Sequence, residues 1–339
     1  APPFPAAMDA FEAWFVDEVL RLAPEEGLQR SLAYGNTVTL FALSAASLTG
    51  GVIPKALSDI VIPGGFSALA FPPAGAAVLL LLTAALTARL VREPARRAVT
   101  SSATGSPTGS REDVAPDAAR TGSIVVTALR ETLRNRSLLL LGILSLVAGA
   151  AISTMETFWQ PFFADTLGGG SPTVLFGVIT AGNFLLAMAG NMASTPLTRL
   201  LGGRPARFAA FAQGLRGVFT LMLGLQASLS PAVGAFWLAY LAAGATESPH
   251  QTLINRNVPT ERRSAMLSVQ SLATSLGAFA GSAVFGYIAR MAGLRVVWIV
   301  TAAYLVVSLT LYLRVDARES RSERVQHIPA EADFGTASS

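Results

Sequence analysis

Eight long apolar segments, separated by short polar turns, constrain this chain more than any other feature of its sequence. A helix needs about twenty apolar residues to cross the hydrocarbon core of a bilayer, which is roughly 30 Å thick. Only 14% of the 339 residues are charged, against roughly a quarter in soluble domains. We therefore expect an all-α, polytopic membrane helix bundle. The predicted spans are Tyr34–Ile53, Ala70–Leu90, Leu138–Phe163, Thr173–Thr195, Arg207–Ala227, Pro231–Ile254, Ala265–Met291 and Val296–Leu313.

A further helix is predicted before these spans, from about residue 6 to residue 20, and it is unusually acidic. Apolar residues recur in it at helical spacing, but Glu12, Asp17 and Glu18 lie between them. Carboxylates in hydrocarbon are costly unless they face water or a partner. We therefore expect the acidic side of this helix to face a cavity or a neighbouring helix.

Residues 92–136 interrupt the apolar pattern and divide the chain. Up to residue 122 they are mainly Ser, Thr, Gly, Pro, Ala, Arg and Asp, a composition typical of a solvated, disordered linker. Residues 124–136 are predicted to form a short amphipathic helix whose arginines face anionic lipid. The predicted organisation is a partial N-terminal bundle (1–91), a cytoplasmic linker (92–136), a complete six-helix bundle (137–315) and a disordered cytoplasmic tail (316–339).

Lysine and arginine are concentrated in every second turn, with one lysine in the turn at 54–65 and the short turn with Arg290 and Arg295 as the exception. The turns at 199–207 and 256–263, the linker and the tail are basic, whereas the turns at 162–172 and 226–232 contain neither residue type. Basic turns remain on the cytoplasmic side of a membrane protein. We therefore place the linker and the C-terminus in the cytoplasm, and the protein as a multi-pass protein in the plasma membrane.

The composition excludes several other functions. Cysteine is absent, which rules out disulfides and thiolate metal sites, and two histidines leave little for a His-based metal site. We find no P-loop or other nucleotide motif, no nucleophile–base pair and no cofactor motif, so we expect neither an enzyme nor an ATP-driven pump. The basic residues lie between apolar segments rather than on a soluble face, so no nucleic-acid partner is expected.

Two parts of the chain repeat one pattern. Glu12 lies as far before Pro24 as Glu247 lies before Pro259, and each proline is followed by a charged turn and a helix rich in small residues. A parallel repeat, with a cytoplasmic linker between its halves, is one of the known plans of transporters.

Three segments carry a resemblance to a known family. FEAWFVDEV, METFWQPFFADTLG and NRNVPTERRSAMLSVQSL, in this order and spacing, resemble the major facilitator superfamily (MFS), especially its bacterial drug-efflux branch. The resemblance implies a twelve-helix plan in which this chain supplies helices four to twelve and lacks the first three. In that family, helices one, four, seven and ten line the central cavity. The turn STPLTRLLGGRPARF is similar to the family's Gly/Asp/Arg-rich cytoplasmic loop but lacks its acidic residue.

Candidate transport residues lie on the helices that the resemblance places at the cavity. Glu156, with Trp159 and Gln160 beside it, lies near the outer end of its span. A carboxylate that is protonated in one conformation and ionised in the other would couple substrate movement to protons; the alternative is a hydrated interfacial glutamate. Glu247 either binds substrate or protons or forms a structural hydrogen bond between helices, and His250 is either a proton relay or a packing residue.

Further candidates come from the acidic helix and the basic turns. Glu12 and Trp14 join the predicted cavity, where aromatic rings suit hydrophobic cations. Arg216 either binds an anionic group or extends its guanidinium to the interface. A cytoplasmic gate is predicted from charged residues whose ion pairs would hold one conformation closed, the alternative being plain anchoring of basic turns. The gate residues are Asp17, Arg30, Glu261, Arg262 and Arg263.

The leading hypothesis is a secondary active transporter, a proton-coupled antiporter of the multidrug-resistance type. It would export a small hydrophobic or cationic molecule by alternating access, with the proton gradient as energy source and without a cofactor or metal. It would act as a monomer in the lipid bilayer when full length. Two alternatives stay open, namely metabolite uptake by the same fold and a truncated membrane partner or sensor that transports nothing.

Overall fold

Every regular element among the described residues is helical. The computed structural model describes residues 27–58, 67–90, 129–130, 132–168, 172–258 and 263–326. These residues contain eight long α-helices and one short 3-10 helix, Ala68–Ala70. The long helices are α1 (Gly27–Ala56), α2 (Phe71–Leu90), α3 (Arg136–Thr166), α4 (Thr173–Leu200), α5 (Pro205–Leu225), α6 (Leu229–Asn257), α7 (Arg263–Ala292) and α8 (Leu294–Gln326).

Each of the eight predicted spans coincides with one of these helices. All eight are long and apolar enough to cross a membrane, so the predicted all-α membrane bundle is confirmed for the described part of the chain. Most starts agree to within two residues, whereas α1 begins at Gly27 rather than at Tyr34. The predicted acidic helix before α1 lies outside the described residues.

The last helix continues further than the sequence indicated. We predicted that the last span ends at Leu313 and that a disordered tail starts at residue 316, but α8 continues to Gln326. Polar contacts accompany this extension: Arg207 Nε donates to the Asp316 carboxylate at 2.8 Å, and Arg204 donates to Ser320 Oγ at 2.6 Å. Hydropathy marks only the apolar part of a helix, which is why the predicted end came too early.

Asn135 defines the start of α3. Its side-chain oxygen accepts hydrogen bonds from the backbone N–H groups of Ser137, at 3.0 Å, and Leu138, at 3.4 Å. These bonds satisfy donors of the first turn that have no partner within the helix. Residues 129–130 and 132–134, within the predicted amphipathic segment, are helical, and the rest of the predicted linker lies outside the described residues.

Two compact units make up the chain, residues 1–114 with 172–181 and residues 115–171 with 182–339. In the second unit, apolar side chains of α3, α5, α6, α7 and α8 form a hydrophobic core. Every candidate site residue whose side chain the structure describes lies in this unit. Fully buried members of the core include Leu138, Leu141, Ala206, Ala209, Leu253 and Val315.

Glycines bring helices of the second unit into backbone contact. A methyl group added at Gly149 of α3 would overlap the Thr274 carbonyl oxygen of α7. One added at Gly277 of α7 would overlap the Leu146 carbonyl oxygen of α3. Small residues at such contacts let backbones approach closely in lipid, where apolar attraction between helices is weak.

α5 and α8 pack against each other in antiparallel directions. Gln213 donates to Ser308 Oγ at 3.0 Å, and a methyl group on Gly224 would lie 2.9 Å from Trp298 Cβ. Residue numbers therefore rise along α5 as they fall along α8. This register decides which polar residues of the two helices meet in the core.

Candidate functional site

Glu156 presents a carboxylate at the surface of an apolar helix. Glu156 and Gln160, one turn apart on α3, are both exposed, although α3 is a candidate membrane span. The ion pairs among the described residues do not include Glu156. Three residues further along α3, Trp159 stacks on Phe236 of α6, so the two helices are close at this level. The carboxylate is therefore free to gain or lose a proton without breaking an ion pair.

Glu247 is a second exposed carboxylate, on α6. Its Oε1 accepts a hydrogen bond from Gln251 Nε2 at 3.1 Å, one turn further along the same helix. This bond lies within α6 and does not join it to another helix.

His250 is the centre of a buried hydrogen-bond network that joins four helices. Its Nε2 lies 3.2 Å from Ser145 Oγ of α3, and its Nδ1 lies 3.1 Å from the Tyr312 hydroxyl of α8. Ser145 in turn donates to Gln270 Oε1 of α7 at 2.7 Å. All four side chains are only 3% to 7% exposed, so the network lies in the core of the second unit.

These distances define one proton arrangement for a neutral His250. Ser145 gives its single proton to Gln270, so its oxygen accepts the proton of His250 Nε2. Nδ1 is then an acceptor, and the Tyr312 hydroxyl donates to it. Both ring nitrogens are therefore engaged in contacts that position α6 against α3, α7 and α8.

Trp159 lies in a buried aromatic cluster, away from the exposed side of α3. Its ring stacks on Phe236 of α6, with centroids 6.0 Å apart, and lies edge-on to Phe163 at 6.3 Å. Phe163 and Phe236 are themselves 5.5 Å apart in an edge-on arrangement. The side chain of Trp159 is 7% exposed, so it packs the core, whereas Glu156 and Gln160 face outwards.

Arg216 is buried in the middle of α5, with 6% of its surface exposed. Its Nε has no hydrogen-bond partner among the described residues. Of the two interpretations from the sequence, extension of the guanidinium to the membrane interface is therefore wrong. The anion-binding interpretation stays a prediction.

The predicted gate lies largely outside the described residues. The charged contact seen at the end of the bundle where α5 begins is instead that of Asp316 with Arg207, at 2.8 Å, and with Arg204, at 3.6 Å. Asp316 belongs to the predicted tail, so this contact is not predicted from the sequence. Glu12, Trp14, Asp17, Glu261 and Arg262 are not described, and of Arg30 and Arg263 only the helical backbone is described.

The partners of His250 were not singled out from the sequence. Ser145 and Gln270 are polar residues within apolar spans, and such residues are a signal of packing or function in membrane helices. The presence of these polar residues can be read from the sequence. Which polar side chains meet depends on the rotation and register of helices that are far apart in the sequence, and local patterns do not contain this information.

One family model is similar to part of this chain. Residues 169–333, just under half of the chain, match the family model of the Major Facilitator Superfamily. No curated protein sequence matches the chain.

One solved structure is similar over most of the chain. It is the crystal structure of a bacterial homolog to the human lysosomal transporter Spinster, in an inward-facing and unoccupied conformation. The two share 18% sequence identity, the match covers 88% of this chain and 69% of that one, and the TM-score is 0.48.

Proposed function

We propose that this chain is an MFS transporter that exports a small hydrophobic or cationic molecule in exchange for protons by alternating access. The observation that carries the proposal is the match of residues 169–333 to the family model. The eight helices long and apolar enough to cross a membrane support it. Transporters with a repeated plan place their substrate between two bundles, whose relative movement opens the site to one side at a time.

Glu156 is the residue that we assign to proton coupling. It is exposed, lies on an apolar helix and has no ion-pair partner among the described residues. An ionised carboxylate has a high free energy in an apolar environment. Glu156 therefore takes up a proton in the conformation that excludes water and releases it in the conformation that admits water. A cationic substrate competes with the proton for the same carboxylate, and this competition makes the two movements an exchange.

Glu247 provides a second negative charge on the neighbouring helix. It lies seven positions after Tyr240 on α6, so the two residues share a face of the helix, and Tyr240 packs edge-on against Phe236, which stacks on Trp159 of α3. Exposed carboxylates of the same sign favour a cation over an anion at this surface. We assign His250 to the positioning of α6, because both of its ring nitrogens are hydrogen bonded.

Glu156→Gln tests the coupling. The purified protein in proteoliposomes is given an imposed pH gradient, and uptake of the lipophilic cation ethidium is followed by fluorescence. We expect the wild-type protein to accumulate ethidium until the gradient is dissipated, and Glu156→Gln to be expressed normally but to lose gradient-driven uptake. Asp165→Asn, which removes another exposed carboxylate of α3, should retain it.

The variant and the wild-type protein test two different parts of the proposal. Gradient-driven uptake by Glu156→Gln would remove Glu156 from the mechanism while leaving transport intact. Absence of any gradient-driven uptake by the wild-type protein would contradict proton-coupled movement of cations altogether.

A further inference from the structure

Buried polar atoms without a hydrogen-bond partner are concentrated on α5 and α8. Five such side-chain atoms occur among the described residues, and four of them belong to these two helices. Native proteins contain few such groups, and each needs a physical explanation. The four atoms are Arg216 Nε, Trp298 Nε1, Thr301 Oγ1 and the Tyr304 hydroxyl oxygen.

Arg216 is the member of this group that needs a partner most. A guanidinium stays charged at any pH a protein meets, so it cannot become neutral on burial as a lysine can. A buried charge without a counter-charge is strongly destabilising. Asp316 of α8 forms its ion pairs with Arg204 and Arg207 instead, and no ion pair between described residues includes Arg216.

Thr301 lies beside the part of α8 that contacts α5 next to Arg216. A methyl group on Gly217, the residue after Arg216, would lie 2.7 Å from Val306 Cγ2 and 3.3 Å from the Ala302 carbonyl oxygen. Gly217 of α5 is therefore opposite residues 302–306 of α8. Thr301 immediately precedes this stretch, is completely buried and has an unpartnered hydroxyl.

We propose that Arg216 and Thr301 bind a singly charged anionic group between α5 and α8. The guanidinium sets the sign of the ligand, and its Nε–H and the Thr301 hydroxyl each donate a hydrogen bond to it. One positive charge balances one negative charge, and the helices are closely packed, so the ligand is a small monoanion, either a free halide ion or a short-chain carboxylate. The site is buried, whereas Glu156 and Glu247 are exposed, and it does not rest on the proposed transport function.

Thermal unfolding in different anions tests the site. The purified protein in detergent is kept in sodium gluconate, whose anion is too large for a closely packed helix interface, and chloride or acetate replaces it at constant ionic strength. A ligand that binds only the folded state raises the unfolding temperature in a saturable way. We expect a rise of a few degrees for the wild-type protein with at least one of the two anions.

Three variants make the test specific. Arg216→Gln should abolish the anion dependence and, because it removes an unpaired buried charge, should unfold no lower than the wild-type protein in gluconate. Thr301→Val keeps the shape of the side chain and should weaken the dependence about tenfold in anion concentration, as expected for one lost hydrogen bond. Arg290→Gln removes an exposed arginine and should behave as the wild type.

The outcomes identify the anion or overturn the proposal. A saturable rise with chloride but not acetate assigns the site to a free halide, and a rise with acetate assigns it to a carboxylate. The proposal is overturned if neither anion produces a saturable rise, or if Arg216→Gln responds as the wild type does. It is also overturned if Arg216→Gln is less stable than the wild type in gluconate, because Arg216 would then have a partner already.

Discussion

At the scale of single residues, the buried polar side chains of the second unit fall into two groups. Those around His250 are paired in a continuous chain from Tyr312 to Gln270, so each keeps its hydrogen bond away from water. Arg216 has a donor without a partner. A network in which every polar group is hydrogen bonded stabilises one packing arrangement. A buried polar group without a partner raises the free energy of the folded state unless a ligand binds to it.

Tyr312→Phe should lower the free energy of unfolding by about 1–3 kcal/mol, because it leaves His250 Nδ1 buried without its donor. Reversible unfolding in mixed micelles measures the change. Tyr287→Phe, at a tyrosine that is 62% exposed, is the matched control and should change stability by less than about 0.5 kcal/mol. Equal effects of the two substitutions would show that the hydroxyl–imidazole bond does not contribute.

At the scale of helices, the sequence predicts where each helix lies along the chain better than it predicts which helices are in contact. Apolar runs located all eight helices, because the length of an apolar segment is a local property that the bilayer thickness fixes. They did not locate the polar end of α8, where Asp316 binds Arg207. The contacts of His250 were not predictable either, since Ser145 and Tyr312 belong to helices that meet only in the folded bundle.

Gly277→Ala should destabilise the second unit by about 1–3 kcal/mol, the usual cost of overpacking. The new methyl group would overlap the Leu146 carbonyl oxygen of α3, so the backbones of α3 and α7 would have to separate. The same unfolding assay gives the change. Gly286→Ala lies on the same helix with nothing within 4 Å of the added carbon, and it should be neutral or stabilise by up to about 1 kcal/mol. A neutral Gly277→Ala would mean that α3 and α7 are not in close contact.

At the scale of the whole molecule, the alternation of basic and uncharged turns predicts an orientation in the membrane. The chain contains no cysteine, so a single introduced cysteine reports its own position without a background. Ala227→Cys lies in the uncharged turn between α5 and α6, and Leu201→Cys lies in the basic turn between α4 and α5; both positions are exposed.

We expect a membrane-impermeant maleimide to label Ala227→Cys in intact cells and to label Leu201→Cys only after the membrane is permeabilised. The reason is that basic turns are retained on the cytoplasmic side. The wild-type protein should remain unlabelled in both conditions. The reverse labelling pattern would invert the predicted topology, and labelling of both positions in intact cells would contradict a membrane span along α5.

The register between α5 and α8 also has a mechanical consequence. Arg207 meets Asp316 at one level, and Gln213 meets Ser308 two turns further along α5. A slip of one helical turn, about 5.4 Å, would separate both pairs at once and drive Gly224 away from Trp298. The two helices therefore cannot slide along each other without losing these contacts. Any large motion in the second unit has to carry them together as one rigid body, with the displacement taken up at other helix contacts.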